Sequence, residues 1–338
     1  MARISIVTPA GAGTRNGNRH TALRWASLLR AAGHTVSVAV EWRGEPCDLL
    51  IALHARRSHA SILRFKEEHF DKKLVVVLTG TDLYRDLPAS AQARESLELA
   101  DGLIVLQDQA LRELGAPLRR KARVVYQSAD PKPRHAPPKG RFRVVVIGHL
   151  RAEKDPFRAV LALRFIPEMN IEVVHVGAAL DASFASKAKL LMKQDPRYRW
   201  IGGVSHARAL GWLARSHLLV VSSVMEGGAN VIAEAARIGT PVIASKVPGN
   251  VGMLGRGYPG FYALYDGAAL ASLMLKAFES GRFLEKLKTS LRKRKPLFSP
   301  SAERAALTAA IALPFRAPAR SSSRPRHRPR SGSGRRGR

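Results

Sequence analysis

Glu226 and Glu234 stand eight residues apart in the run Ser222-Ser223-Val224-Met225-Glu226-Gly227-Gly228-Ala229-Asn230-Val231-Ile232-Ala233-Glu234. The apolar stretch before Ser222 reads as a strand and the stretch after Gly228 as a helix. Glu226 then falls in the loop at the strand end, and Glu234 about two turns into the helix. A strand–glycine–helix junction aims backbone N–H groups from Gly227, Gly228, Ala229 and Asn230 at one point, which suits a phosphate. Two carboxylates beside that point can accept hydrogen bonds from sugar and ribose hydroxyls. Taken alone, the pair is equally compatible with a solvated helix face and a simple turn.

Three further segments carry chemistry. Gly148-His149-Leu150-Arg151-Ala152-Glu153-Lys154 follows a strand-like run, and Arg151 and Lys154 are cations of the right kind for a departing diphosphate. Thr8-Pro9-Ala10-Gly11-Ala12-Gly13-Thr14-Arg15-Asn16-Gly17-Asn18-Arg19 lies between the first strand and the first helix. Its three glycines allow close backbone approach, and Arg15 and Arg19 add charge, so the loop reads as an anion site. It lacks the spacing of a dinucleotide fingerprint and the Gly-Lys-Ser/Thr of a Walker A loop. Leu53-His54-Ala55-Arg56-Arg57-Ser58-His59 also ends a strand, and with Thr79-Gly80-Thr81-Asp82 it lines one cleft edge. No Asp-x-Asp occurs and no Cys/His pairing has zinc spacing, so neither a metal nor a cofactor is expected. Cys47 has no base near it in sequence and reads as an ordinary thiol.

These segments need a scaffold that brings strand ends together. Strands are predicted at 3–8, 34–40, 48–54, 73–79, 102–107 and 122–127, with helices over 18–32, 58–69, 90–100 and 108–114. Leu23, Ala26, Leu29 and Arg30 are expected near one stripe of the first helix, which Gly33 stops. Residues 129–140 hold four prolines and no apolar periodicity, the mark of a linker. The pattern then restarts, with strands at 142–148, 171–177, 198–202, 217–223 and 241–245. Helices are expected at 155–166, 181–194, 205–215, 229–239 and 301–312. The fold class is α/β, with two Rossmann-like domains whose parallel sheets face across a cleft. The expected divisions are 1–130, a linker at 131–140, 141–296, a returning helix within 297–316, and a basic tail at 317–338.

The 338 residues carry a net charge of +30. The Ser/Pro/Gly-rich tail accounts for eight arginines and no acid, which leaves +22 on the rest. The tail cannot bury enough apolar surface to fold. A basic cleft suits anionic substrates, though the same charge would serve nucleic acid or an anionic membrane face. Hydrophobic residues make up 46%, and no apolar run reaches the length of a membrane span. With one cysteine and no signal-like start, a cytoplasmic protein is expected.

The Glu226/Glu234 segment resembles the E-x7-E signature of the retaining family-4 glycosyltransferases, which have the GT-B fold. Gly33-His34-Thr35-Val36, Leu99 to Val105, Lys121 to Tyr126 and Gly239-Thr240-Pro241-Val242-Ile243-Ala244 are similar to other stretches of that family, and Phe298 to Ile311 sits where its last helix returns to the first domain. The family's Gly-Arg-Leu-x-x-x-Lys loop is matched at Gly148 and Lys154, but His149 stands at the arginine position, with Arg151 two residues on. The strings around Thr8 to Arg19, Ala52 to Ser58 and Leu78 to Asp86 resemble the selenosugar synthases of selenoneine biosynthesis. That resemblance implies transfer from UDP-N-acetylglucosamine or UDP-glucose to selenophosphate. An anionic, soft selenium nucleophile needs cations more than a base, and Arg15, Arg19, Arg56 and Arg57 are those cations. The catalytic residues it implies are His54, Arg56, Lys154 and Glu226. Substrate binding falls to Gly13, Arg15, Asn18, Arg19, Arg57, Thr81, Asp82, Gly148, Arg151, Gly227, Gly228, Ala229, Asn230 and Glu234. A hydroxyl-acceptor glycosyltransferase is the first alternative. A nucleic-acid-binding protein is the second, supported only by the tail.

Overall fold

The computed structural model describes residues 1–11, 17–131, 135–167 and 170–312. Six short runs rich in Val, Ile and Leu form a first parallel sheet: β1 (Arg3–Val7), β2 (Thr35–Ala39), β3 (Leu49–Leu53), β4 (Lys73–Leu78), β5 (Gly102–Val105) and β6 (Ala122–Val124). Their order is β2-β1-β3-β4-β5-β6. A second parallel sheet holds β7 (Phe142–Ile147), β8 (Ile171–Val176), β9 (Tyr198–Trp200), β10 (Leu218–Val221), β11 (Val242–Ser245) and β12 (Phe261–Tyr262), in the order β12-β11-β10-β7-β8-β9. The central strands are buried on both faces, so they read as unbroken aliphatic runs rather than alternating ones. Each sheet reverses its strand order once, at β1/β3 and at β7/β10, and those two carboxyl-end crevices are where such sheets hold ligands.

Helices of seven residues or more are α1 (Gly17–Ala31), α2 (His59–Glu68), α3 (Ala91–Leu99), α4 (Ala182–Gln194), α5 (His206–Ala214), α6 (Asn230–Ile238), α7 (Pro248–Leu254), α8 (Gly267–Glu279), α9 (Gly281–Arg292) and α10 (Pro300–Ile311). Six of them start at a Ser or Asp whose side chain accepts a backbone N–H of the first turn: Ser90, Asp181, Ser205, Asp266, Ser280 and Ser299. α6 follows Ala229 and has no such cap. Ile232 N turns back to the Ala229 carbonyl at 2.9 Å, which leaves the Asn230 and Val231 N–H groups without a side-chain cap.

The first helix differs from its expected stripe. Thr21, Ala22, Trp25, Ala26 and Leu29 are buried, whereas Leu23 is exposed and Arg30 points to the Val36 carbonyl. The large ring of Trp25, fully buried against Ile4 and Ile6, sets which face turns inward. The helix expected at 155–166 is only Arg158–Ala162, with 3-10 turns on both sides. Asp155 adopts a left-handed backbone ahead of Pro156, which keeps the preceding turn from joining the helix. The segment expected as a helix at 108–114 is a 3-10 stretch, Asp108–Glu113, tightened by the Gln107 side chain accepting from Gln109 N and Ala110 N.

The chain's last described helix crosses back to the first sheet. Leu307 and Ala310 of α10 join Ile4, Ile6, Trp25 and Ile104 in one core. The buried carboxylate of Glu303 takes Arg24 Nε at 3.0 Å, Trp25 Nε1 at 2.7 Å and Ser128 N at 2.9 Å. A buried charge with this many donors is compensated, and removal of any one would expose the cost of burying it. Among the described residues no helix is long and apolar enough to cross a membrane.

Candidate active site

The carboxyl ends of the two sheets meet across a narrow gap. A side chain built on Gly80 would place its Cβ 2.7 Å from the Gly227 nitrogen, so only glycines let these loops approach as closely as they do. Arg85 of the first unit reaches Glu153 of the second, Nη1 to Oε1 at 2.9 Å. Glu153 precedes Lys154 in the loop after β7, so that loop answers to both halves.

On the second-sheet side, Lys154 Nζ pairs with Glu226 Oε1, and the Ser223 hydroxyl donates to the same oxygen at 2.6 Å. Glu226 is buried and Lys154 only partly so. Behind them lies a pocket lined by Gly148, Lys154, His175, Ser222, Glu226 and Val231. Burial pushes the His175 imidazole down to about 4, so it is neutral. Its Nε2 lies 3.1 Å from the Gly148 carbonyl, which can only accept. The proton is therefore on Nε2, and Tyr198 Oη lies 3.3 Å from Nδ1 on the other side. His149, at the position where an arginine was missing, accepts the Ala178 N–H through Nδ1 at 3.2 Å. Arg151 sits 3.9 Å from Glu153.

Glu234 is the fifth residue of α6, a little over one turn in rather than two. Its Oε1 meets His206 Nε2 at 2.7 Å, and the hydrogen bond raises the His206 pKa. His20 of α1 stands across the cleft, its ring 6.0 Å from that of His206. Burial, then the neighbouring His206, lowers the His20 pKa. Gly227, Gly228, Ala229 and Asn230 lead into the uncapped end of α6.

On the first-sheet side, β3 ends in His54, which is buried and held at φ 76°. A left-handed histidine is strained, and such strain persists where surrounding contacts over-determine it. Nδ1 lies 3.2 Å from Asp82 Oδ1 and Nε2 lies 3.6 Å from Asp86 Oδ2. Thr81 Oγ1 is 3.4 Å from Nε2, and Asp82 Oδ2 accepts the Ala55 N–H at 2.9 Å. Asp86 pairs with Arg56 Nε at 2.9 Å. Burial works to raise the Asp86 carboxyl, but Arg56, His54 and Arg85 together hold it below the usual carboxylate range. Among the described residues His54, Asp82 and Asp86 are the one group whose ligand atoms lie close enough to share a cation. The carboxylates face opposite ring nitrogens and Arg56 occupies one of them, which is the form of a carboxylate–imidazole–carboxylate chain. Arg57 is exposed, with no carboxylate on its guanidinium among the described residues. Asn18 and Arg19 lie partly buried on the first turn of α1. Gly13 and Arg15 lie outside the described residues.

Sequence reasoning did not single out Asp86, His206, Ser223 or Gln127. Asp86 had a usable signal, since Asp82 and Asp86 are four apart and fall on one face of a single turn. The others announce nothing in sequence, because their partners lie far away along the chain.

Residues 128–294 match the family described as Glycosyl transferases group 1. A curated relative, glycosyltransferase 1 domain-containing protein 1 of Xenopus tropicalis, is 25% identical over 264 residues, covering 69% of this chain and 76% of that protein. The Anabaena protein HepE, solved with UDP-glucose, superposes with a TM-score of 0.71 at 16% identity, over 92% of this chain and 99% of that one. Sucrose-phosphate synthase of Thermosynechococcus elongatus superposes at 0.73 with 18% identity, over 92% and 98%. At those identities the structural matches speak for the fold. Two six-stranded parallel sheets facing one another give the chain the GT-B fold, and its residues 128–294 are what match the group 1 glycosyltransferases.

Proposed function

We propose that this glycosyltransferase transfers the sugar of a UDP-sugar, UDP-N-acetylglucosamine or UDP-glucose, to selenophosphate. The observation that carries the reading is the uncapped start of α6, flanked by the Lys154–Glu226 pair and by Glu234, facing His54, Arg56 and Arg57 across the cleft. The diphosphate would take the free N–H groups of α6 and Lys154. Glu226 would accept from the sugar hydroxyls, and Glu234 from the ribose. The likeness to HepE, solved with UDP-glucose, supports a uridine donor. The first-domain strings that resemble selenosugar synthases support the acceptor.

In this reaction the bond from the anomeric carbon to the UDP oxygen breaks and a carbon–selenium bond forms. UDP leaves with the electron pair, and Lys154 with the N-terminus of α6 stabilises its charge. Water then cleaves the selenium–phosphorus bond and phosphate departs. Arg57 is the exposed cation that meets the acceptor, while Arg56 contributes from a position already shared with Asp86. A hydroxyl acceptor is the second reading, favoured by His54 between two carboxylates, which has the make-up of a general base. The test is incubation of the pure protein with a UDP-sugar panel and either selenophosphate or hydroxyl acceptors, read by mass spectrometry. A selenosugar with released UDP supports the proposal. Products from hydroxyl acceptors alone would transfer it to the second reading.

A further inference from the structure

Gln127 lies three residues past β6, where the chain leaves the first sheet for the second, and its side chain is almost wholly buried. A buried primary amide costs free energy unless both of its ends find partners. One orientation satisfies it: the nitrogen donates to the Gly228 carbonyl at 3.2 Å and to Asn230 Oδ1 at 2.8 Å, and the oxygen accepts from Arg24 Nη2 at 3.2 Å. Thr21 of α1 also lies against the amide. Arg24 is the residue whose Nε reaches both oxygens of Glu303 on α10. One side chain thus joins α1, the link between the halves, and the loop that opens α6.

Two consequences follow for that loop. A trans peptide sets its C=O and N–H on opposite sides, so holding the Gly228 carbonyl against Gln127 turns the Ala229 N–H away from it. Asn230 is the first helical residue after the N-cap Ala229, and an asparagine there can still turn its side-chain oxygen onto a nearby backbone N–H. With Asn230 Oδ1 engaged by Gln127, the Asn230 and Val231 N–H groups keep no side-chain cap, while Ile232 N turns back to the Ala229 carbonyl. The loop has little room to arrange itself otherwise, since a Cβ on Gly228 would come within 2.7 Å of Leu106 Cβ.

We propose that Gln127 is a positioning residue of the donor site: it sets the start of α6 in the form that receives a nucleoside diphosphate, and it ties that form through Arg24 to the docking of α10. The inference rests on the proposed placement of the donor diphosphate at α6. Binding is then preorganised, so the donor does not have to order the loop as it arrives.

Gln127→Glu tests this in the full-length protein. A carboxylate still accepts from Arg24, but it cannot donate to Gly228 or Asn230 and repels both oxygens. The expected result is UDP affinity weaker by about tenfold in calorimetry, together with a lowered unfolding midpoint, since the buried carboxylate faces two oxygens. In turnover the donor KM rises by the same factor, and kcat at saturating donor stays within about threefold of the parent. Should Gln127→Glu fail to fold, Gln127→Met keeps the length, removes the donors and is read in the same way. A side chain that merely fills space would lower the midpoint and leave UDP affinity and donor KM unchanged, and that outcome overturns the inference. If the parent protein itself does not bind UDP, the donor reading fails. If the parent binds UDP and Gln127→Glu binds it equally well, only the role of Gln127 falls.

Discussion

The two walls of the cleft treat charge in opposite ways. On the second-sheet wall each carboxylate of the proposed donor site is paired with a side chain that is at least partly exposed. Lys154 on Glu226 is partly exposed, and His206 on Glu234 is mostly so, at 61% of its side-chain surface. On the first-sheet wall Asp82, His54, Asp86 and Arg56 spend their charges on one another, and the first three are buried. Buried charges cannot change partners without passing through an uncompensated state, so that wall is fixed as it folds. In the proposed function the second-sheet wall is the socket for the donor. The other is a rigid platform with Arg57 at its rim. Substitutions in the socket should therefore change binding and turnover, whereas substitutions in the platform should first change stability.

The largest expected effect is at Lys154. Lys154→Ala removes the cation beside Glu226 and should lower kcat by about a hundred- to a thousandfold, with the circular dichroism spectrum unchanged. A loss below about fivefold would take Lys154 out of the chemistry. Acid comes next and acts on both walls. The His175 pKa is lowered in the folded state, so its contribution to stability is full above 6.5 and is lost as pH falls from 6.5 towards about 4. The difference amounts to about 3 kcal/mol. Asp86 is also depressed, and its contribution disappears as pH falls through its folded value. A series of unfolding midpoints against pH should show His175→Gln flattening the upper part of that loss. If the variant falls as steeply as the parent between pH 6.5 and 5, His175 is not its source.

Glu234→Ala should raise the donor KM by about ten- to a hundredfold at nearly constant kcat, because the contact is made with the ground state as much as with the transition state. An unchanged KM would remove Glu234 from the donor site. Arg56 and Arg57 give the sharpest contrast between neighbours. Arg56→Ala leaves the buried Asp86 with only His54 and Arg85, both at 3.6 Å, and should cost about 2 kcal/mol in denaturant unfolding. Arg57→Ala should leave stability alone and raise the KM for an anionic acceptor about tenfold. If the two variants exchange phenotypes, the distinction between platform and rim fails. At the small end, deletion of 317–338 should leave kcat and KM within about twofold, since that segment has no apolar content to dock. A larger loss of kcat would bring the tail to the cleft.

The sheets were legible because buried parallel strands must be aliphatic on both faces, and runs such as Leu49–Leu53 and Leu218–Val221 admit few other readings. Glu226, Glu234 and the open start of α6 were legible because they lie within one contiguous segment. β12 was not, because two residues give no periodicity to read. His206 and Gln127 were hidden for another reason. Each acts through a partner far along the chain, Glu234 for the one and Arg24 and Gly228 for the other, and spacing carries no trace of such pairs. Asp86 shows the middle case, since its spacing from Asp82 was visible while the buried histidine between them was not.

The return of α10 to the first sheet also bears on how the molecule is made. Strands β1 to β6 leave the ribosome first, yet the core face formed by Ile4, Ile6, Trp25 and Ile104 is covered by Leu307 and Ala310, which come near the end. At roughly 5–20 residues per second, the interval between β6 and α10 lasts on the order of ten seconds or more. During that time α1 packs Ala22, Trp25, Ala26 and Leu29 on that face, but the part α10 will cover stays open, and Arg24 and Trp25 wait for the carboxylate of Glu303. The second half is contiguous in sequence and can close as it emerges. The half synthesised first is thus completed last, and a nascent chain halted before residue 300 displays an open apolar face to whatever chaperone is near.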